Sequence, residues 1–289
     1  MQPTRAEKQG QADRPADERL LAAVIDAASQ AAAGIARRAG EVRTLDVRFK
    51  SPSDFVSDVD VEAETLIRQR LEHEFPGCSF LGEELSPDAS AAEGLVFIVD
   101  PLDGTTNFLH GYPEYAVSIA AAFDGELIAG VVHNAATGEV FFARRGEGAF
   151  RDGTPIRVST TSEPARALIG TGFPFRAVDV LNDYVHQFYA VARATSGIRR
   201  AGAAALDLAD VACGRFDAFW EPLLSAWDFA AGALLVREAG GTVTALDGGP
   251  LPLQRSSILA GNPALHRWLR DTIAQSGVPM TSTMEIRAS

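Results

Sequence analysis

The sequence predicts a mixed α/β fold in which sheets and helices are layered within one unit. Three observations lead there. Up to about residue 160, short apolar runs alternate with Asp-Gly and Thr-Gly turn signals, the texture of antiparallel strands. Beyond it the pattern becomes strand, helix, strand, helix. Between residues 18 and 276 no linker, repeat or low-complexity stretch interrupts the alternation, so a single domain is expected there, with polar, mobile tails at 1–17 and 277–289.

Taken in order, Leu21, Val24, Ile25, Ala28, Ala32 and Ile35 form a stripe at helical spacing, with Asp17 as a cap. A second amphipathic helix is expected from about Val61 to Glu74, carrying Ala63, Leu66, Ile67 and Leu71 and stopped by Pro76-Gly77. Leu95–Val99, Tyr115–Phe123, Leu127–His133 and Glu139–Arg144 read as strands, separated by turns at Asp124-Gly125, Thr137-Gly138 and Asp152-Gly153. The second half predicts a strand at Ala167–Thr171, helices over 179–195 and Ala204–Cys213, and a strand at Phe216–Trp220. A helix at Asp228–Ala239, strands at Thr242–Ala245 and Ser257–Ala260, and a helix at Ala264–Gln275 complete it.

Composition narrows the function classes. The 289 residues carry 26 Lys plus Arg against 38 Asp plus Glu, a net charge of −12, so no direct contact with nucleic acid is expected. An anionic substrate would need a local reversal of the field, which a metal ion supplies. Cys78 and Cys213 have no metal or disulfide spacing and read as reduced packing residues. His73, His110, His133, His186 and His266 are scattered, which argues against zinc. No apolar run singled out approaches the roughly 20 residues of a membrane span, and the first residues lack an apolar signal core. A cytoplasmic protein without membrane contact is the expectation.

The chemistry-bearing residues are acids beside turns. In Asp100-Pro-Leu-Asp-Gly-Thr-Thr-Asn107, Pro101 is expected to force a turn, so that Asp100, Asp103 and the Leu102 carbonyl face one point. Oxygen ligands of that kind suit Mg²⁺. Gly104-Thr105-Thr106 would open a helical turn whose N–H groups accept a phosphate oxygen. Glu83-Glu84 follow the apolar run Cys78–Leu81, Asp228 begins an apolar helix, and Asp60 precedes another. Each has a plainer reading: an Asp-Pro turn, solvated surface, and two N-caps. The four together, in this order, favour the chemical one.

Gly82-Glu83-Glu84, Asp100-Pro-Leu-Asp-Gly-Thr-Thr-Asn-Phe108 and Trp227-Asp-Phe-Ala-Ala-Gly232 resemble the three signature motifs of the inositol monophosphatase family. Ser57-Asp-Val-Asp60 is similar to its T-x-x-D element, with serine for threonine. The likeness spans roughly residues 20–270, and Gly170–Phe175, Arg199–Leu208 and Asp217–Glu221 resemble its bacterial branch. The resemblance implies a layered α/β/α/β/α sandwich of the sugar-phosphatase type, a homodimer, and Mg²⁺-dependent hydrolysis of inositol-1-phosphate by a metal-activated water. Lithium sensitivity is a further expectation.

Carried over residue by residue, Glu83, Asp100 and the Leu102 carbonyl would hold a first Mg²⁺. Asp100, Asp103 and Asp228 would hold a second, and Glu83 a weaker third. Thr105 and Glu83 would position the water and take its proton, with Asp60 accepting the Thr105 hydroxyl. Gly104 and Thr105 would bind phosphate, and Asp103, Gly202, Ala203, Ala204, Glu221 and Asp228 would line the substrate. Glu221 accepting ring hydroxyls is chemically apt, although it also reads as a solvated acid after a strand. Lys50 matches a lysine near the family's metal site.

Several positions depart from the family pattern. Ser57 replaces threonine, Asp58 adds an acid near the relay, Ala203 stands where many relatives carry a hydroxyl, and Pro222-Leu-Leu-Ser225 replaces a more polar loop. The identity of the alcohol therefore stays open among inositol phosphate, histidinol phosphate, fructose-1,6-bisphosphate and adenosine 3′,5′-bisphosphate. A haloacid-dehalogenase-type phosphatase needs D-x-D-G-T, and here the two aspartates are one residue too far apart. The resemblance also leaves open a protein partner in the transcription and ribosome-maturation machinery.

Overall fold

The first predicted stripe becomes helix α1 (Asp17–Arg38), the start of a computed structural model that describes residues 17–40, 47–51, 54–174 and 180–276, with 47–51 and 54–57 as backbone alone. The tail expectations, the side chains of Asp17, Lys50 and Ser57, and residues 175–179 lie outside the described residues. Helix α1 buries Leu20, Val24, Ala27, Ala28, Ala31, Ala32 and Ile35, while Leu21 and Ile25 pack at its margin. By length and composition Glu18–Arg38 is long and apolar enough to cross a membrane, which the sequence reading did not single out. Its apolar stripe is instead the inner face of an amphipathic helix against a sheet.

A hairpin follows, β1 (Val47–Ser51) with β2 (Asp54–Ser57), and leads into α2 (Asp58–Glu74). Helix α2 starts three residues earlier than expected, so Asp60 lies inside its first turn rather than before it. The larger sheet runs β3 (Ser79–Gly82), β4 (Leu95–Asp103), β5 (Ala116–Phe123), β6 (Glu126–Asn134), β7 (Val140–Arg144), β8 (Gly148–Arg151) and β9 (Thr154–Ile156) in sequence order. Only β3 and β4 pair in parallel; the rest form an antiparallel meander. Asp124 and Asp152 take positive φ (49° each) before Gly125 and Gly153, the conformation that tight two-residue hairpins require.

After β9 come β10 (Leu168–Thr171), α4 (Leu181–Ala192), β11 (Gly197–Arg199), α5 (Ala204–Ala212), β12 (Ala218–Leu224), α6 (Ala226–Glu238), β13 (Thr242–Ala245), β14 (Ser256–Gly261) and α7 (Pro263–Gln275); the short α3 (Thr105–His110) lies between β4 and β5. The second sheet has the order β11-β10-β12-β14-β13, parallel around β10 and antiparallel around β14. Helices α1 and α2 cover one face of the larger sheet. Helices α5 and α6 fill the space between the sheets, and α4 and α7 cover the outer face of the smaller one. The layers are thus α/β/α/β/α.

Small residues permit this stacking. A Cβ on Gly130 of β6 would stand 3.1 Å from the Ala231 backbone of α6, and one on Gly232 would stand 2.5 Å from Leu208 of α5. Helix α6 is therefore apolar on nearly every side because it touches a sheet or a helix on every side.

Two local expectations are corrected. Strand β4 does not end in a turn at Pro101 but continues to Asp103 with a bulge, Asp100 opposing Ser118 and Asp103 opposing Ala116. Proline has no N–H to give the ladder and is tolerated at such a bulge. Asp228 is not the N-cap of its helix. Ser225 is, and Asp228 is the third helical residue, its Oδ2 accepting the Ser225 N–H at 2.7 Å in a capping box.

Candidate active site

The bulge in β4 is where the acids gather. Asp100 is 2% exposed, and its carboxyl is held well above the ordinary range, first by burial and then by the negative fields of Glu83, Asp103 and Asp228. The Asp103 carboxyl is raised too, by burial and by Asp228, against the pull of the Ala205 and Ala204 amides. Glu83 arrives from the end of β3, its N–H donating to Val99 O at 3.2 Å, and Asp228 from the first turn of α6. Three distant segments thus place four carboxylates within electrostatic reach of one another.

Among the described residues no three Asp, Glu, His or Cys side chains already form a group arranged to hold a metal ion. Two of the acids are engaged in protein contacts: Asp228 with Ser225, and Asp103 Oδ2 with the Ala205 N–H at 2.7 Å. The latter contact caps α5, whose own N-cap, Ala203, has no side-chain acceptor. The donor set still fits a hard divalent cation. It is oxygen throughout, it is buried, and its mutual repulsion is what a cation relieves.

Thr105 opens α3 directly behind the bulge. Its Oγ1 stands 3.1 Å from Asp60 Oδ1 and 3.0 Å from Leu102 O, so its single proton can go to either. Asp60 is 1% exposed on the inner face of α2. Gly104 precedes the helix at φ 86°, and a Cβ there would meet Glu114 O at 2.7 Å. The same Cβ would lie 3.3 Å from Ala203 Cβ, so the Gly104 turn and the Ala203-Ala204 wall adjoin. Asn107 Nδ2 ties them together, donating to Glu114 O at 2.7 Å and Ala201 O at 2.9 Å. Gly202 follows at φ 93°.

Glu221 is not a solvated acid past a strand end. It lies half-buried within β12, and a Cβ on Gly172 would fall 2.0 Å from its carboxyl carbon, so glycine makes room for it. Burial pushes the neighbouring Tyr184 hydroxyl up to about 12, with the Glu221 field adding to the rise. The strand runs on through Pro222 to Leu224, with Leu223 at φ 60°, where a more polar loop was the family pattern. The extra acid Asp58 is paired with Arg38 at 2.9 Å.

Two acids escaped the sequence reading. Glu64 is fully buried and accepts the Glu84 N–H at 2.7 Å; burial pushes its carboxyl up while that amide and Arg68 pull it down. The signal was present: an acid one turn after Asp60, between Ala63 and Ile67 of the helix's apolar stripe. Asp207, 2% exposed on α5, is held well above the ordinary carboxylate range by burial first, then by Glu221 and Asp103, and its Oδ1 has no hydrogen-bond partner.

Comparison with known proteins gives the family and the fold. The family model described as "Inositol monophosphatase family" matches residues 16–277. The inositol-1-monophosphatase of Rhizobium meliloti is 45% identical over 254 residues, 88% of this chain and 96% of that protein. The Nus factor SuhB of Pseudomonas aeruginosa is 44% identical over 258 residues, covering 88% and 95% of the two chains. The crystal structure of the extragenic suppressor protein suhB from Bartonella henselae superimposes with a TM-score of 0.84 at 42% identity, covering 90% of this chain and 99% of that one. A two-sheet sandwich, acids drawn from three segments and a match over nearly the whole length lead to one conclusion: the chain belongs to the inositol monophosphatase family, a family of phosphatases.

Proposed function

We propose that the chain hydrolyses inositol-1-phosphate to inositol and phosphate with Mg²⁺ at the acid cluster. The observation that carries this reading is the convergence of Glu83, Asp100, Asp103 and Asp228 beside the Thr105–Asp60 pair. Glu83, Asp100 and the Leu102 carbonyl would hold one ion, Asp100, Asp103 and Asp228 a second, and Glu83 a weaker third. Bound there, Mg²⁺ supplies Lewis-acid polarisation of the phosphate and lowers the pKa of water.

The rest belongs to the chain's own groups. With its hydroxyl donating to Asp60, the Thr105 oxygen turns its lone pairs toward the attacking water, and Glu83 takes the proton that water loses. As the water oxygen bonds to phosphorus, the bond from phosphorus to the inositol oxygen breaks, and that oxygen leaves with a proton from a second water. The N–H groups of Gly104 and Thr105 hold phosphate oxygens. Asp103, Ala204 and Glu221 receive the ring, Asp228 closes the far side, and Gly202 and Ala203 let the ring approach the backbone. The active form would be a cytoplasmic homodimer.

The test is phosphate release from inositol-1-phosphate, histidinol phosphate, fructose-1,6-bisphosphate and adenosine 3′,5′-bisphosphate, with Mg²⁺, with EDTA and with added Li⁺. Preference for inositol-1-phosphate that EDTA abolishes and Li⁺ inhibits is the expected result. Preference for another ester overturns the alcohol assignment but keeps the metal chemistry. Absence of release from all four favours the second reading, a protein-binding role, which relatives named Nus factor SuhB support.

Glu221→Gln is expected to raise KM for inositol-1-phosphate about tenfold or more, with a smaller fall in kcat, because a charged acceptor of ring hydroxyls is lost while the reacting centre is untouched. Steady-state kinetics on the four esters check it. An equal loss on every ester would remove Glu221 from substrate recognition.

A further inference from the structure

Glu64 has no part in the reading above, yet it is fully buried and its surroundings are built around its charge. It lies on α2 one turn beyond Asp60, on the same inner face. Its Oε2 accepts the Glu84 N–H at 2.7 Å and the Leu85 N–H at 3.3 Å. Its Oε1 accepts the Leu85 N–H at 3.3 Å and Arg68 Nε at 3.3 Å. Both oxygens therefore face donors.

The loop it holds begins at Gly82, where a Cβ would stand 2.2 Å from Glu64 Oε1. The carboxylate occupies the space of that missing side chain. Gly82 and Ser86 close the loop through reciprocal backbone bonds of 3.3 Å, Ser86 Oγ donates to Phe80 O at 3.0 Å, and Arg68 reaches both Ser86 Oγ and the Phe80 ring. Between these contacts stands Glu83, whose own N–H is fixed to Val99 of β4.

We propose that Glu64 is a positioning residue: it clamps the Glu83 loop to the helix that carries Asp60, so that Glu83 and the Asp60–Thr105 pair are held by one rigid element. This rests on the metal reading of Glu83 given above. It accounts for the glycine at position 82, where a Cβ would meet the carboxylate, and for a second charged residue buried on the face of α2 that also packs Ala63, Ile67 and Leu71. Groups that orient a metal ligand without touching the metal commonly alter metal affinity by about 10- to 100-fold.

The experiment uses the full chain in two measurements that need no turnover. Amide hydrogen exchange at Glu84 and Leu85 is followed by NMR in EDTA, and Mg²⁺ binding is followed by calorimetry without substrate. In Glu64→Gln an amide nitrogen replaces one acceptor oxygen, and exchange at both amides is expected to speed up about tenfold or more, with Mg²⁺ binding weakened about tenfold. KM for the ester at saturating Mg²⁺ should change little. Gly82→Ala drives a methyl into the same carboxylate from the loop side and should reproduce both effects, which keeps the test valid if Glu64→Gln folds poorly. Leu71→Ala, two turns further along α2, should lower the thermal midpoint while leaving Mg²⁺ binding unchanged.

Parent-like exchange and Mg²⁺ binding in Glu64→Gln or Gly82→Ala overturns the inference alone. Equal weakening in Leu71→Ala overturns it as well, because general loosening would then be the cause. A parent that gives no Mg²⁺ heat overturns the metal reading itself, and the role of Glu64 falls with it.

Discussion

Asp100→Asn is expected to abolish turnover, by about 10³-fold or more, and to raise the thermal midpoint measured in EDTA. The two effects have one cause. Asp100 is buried at the centre of a group of carboxylates, and both its burial and its neighbours oppose its charge. Losing Lewis-acid stabilisation worth several kcal/mol costs about tenfold in rate for each 1.4 kcal/mol. Without a divalent ion the same charge is a liability to the fold. The substitution keeps the local structure, since an asparagine Oδ1 can still accept the Leu102 N–H that Asp100 Oδ1 accepts at 3.1 Å.

The pH dependence has a definite sign. A carboxyl raised in the folded state keeps its proton at pH values where the unfolded chain has released it. Ion-free stability therefore falls as pH climbs past the ordinary carboxylate range, and Asp100→Asn should flatten that fall. Thermal melts in EDTA from about pH 4 to about pH 8, beside turnover with Mg²⁺, measure both. Retained turnover removes Asp100 from the metal set. An ion-free midpoint well below the parent's would show that its charge is already relieved by something else.

Thr105→Ala should lower kcat by roughly 100-fold while changing KM and Mg²⁺ affinity little, the range expected when a positioned proton-transfer partner is lost. The Oγ1 has one proton and two acceptors in reach, Asp60 Oδ1 at 3.1 Å and Leu102 O at 3.0 Å. If the Leu102 carbonyl held an ion, Asp60 would be the remaining acceptor, and the threonine oxygen would then face water through its lone pairs. Thr105→Ser keeps the hydroxyl and should retain most of the activity. Unchanged kinetics in Thr105→Ala would remove it from the relay. A fall in Mg²⁺ binding equal to the fall in kcat would instead make Thr105 a support for the Leu102 carbonyl.

Periodic elements were the legible part of the fold. Helix α1 and strands β5, β6 and β13 stand within a few residues of their predicted bounds, because α1 and β13 repeat one apolar face at a fixed period and β5 and β6 are continuous apolar runs buried on both faces. The apolar run Cys78–Leu81, expected to be a strand ending before Glu83, is β3, whereas the hairpin β1–β2 and the short strands β8, β9 and β11 had no such signal. At three to five residues each, they are held by pairing across the chain rather than by a pattern of their own. The turn expected at Pro101 is a bulge because the strand partner, invisible locally, continues past it.

The site was legible through its acids and less so through what holds them. Asp100, Asp103, Glu83 and Asp228 could be named from three motifs, and their electrostatic proximity follows from the fold. Glu64 was passed over because a helical stripe is read by its apolar members. Apart from Arg68 one turn on, its partners are backbone amides some twenty positions away, which no side-chain pattern announces. The cap that Asp103 gives to α5 spans an even longer interval and depends on the two sheets having docked.

Helix α6, seated between the sheets, brings Asp228 to the other acids only after the strands of the first sheet have been made. During synthesis the segments bearing Asp60, Glu83, Asp100 and Thr105 emerge first, before the helix and the second sheet that enclose them in the folded chain. Closure joins residues far apart along the chain, the kind of topology that folds slowly relative to bundles of local contacts. A fragment ending before Ser225 therefore carries most of the chemical groups and none of the finished centre, and adding the missing portion in trans would have to rebuild a buried helix rather than attach a surface one.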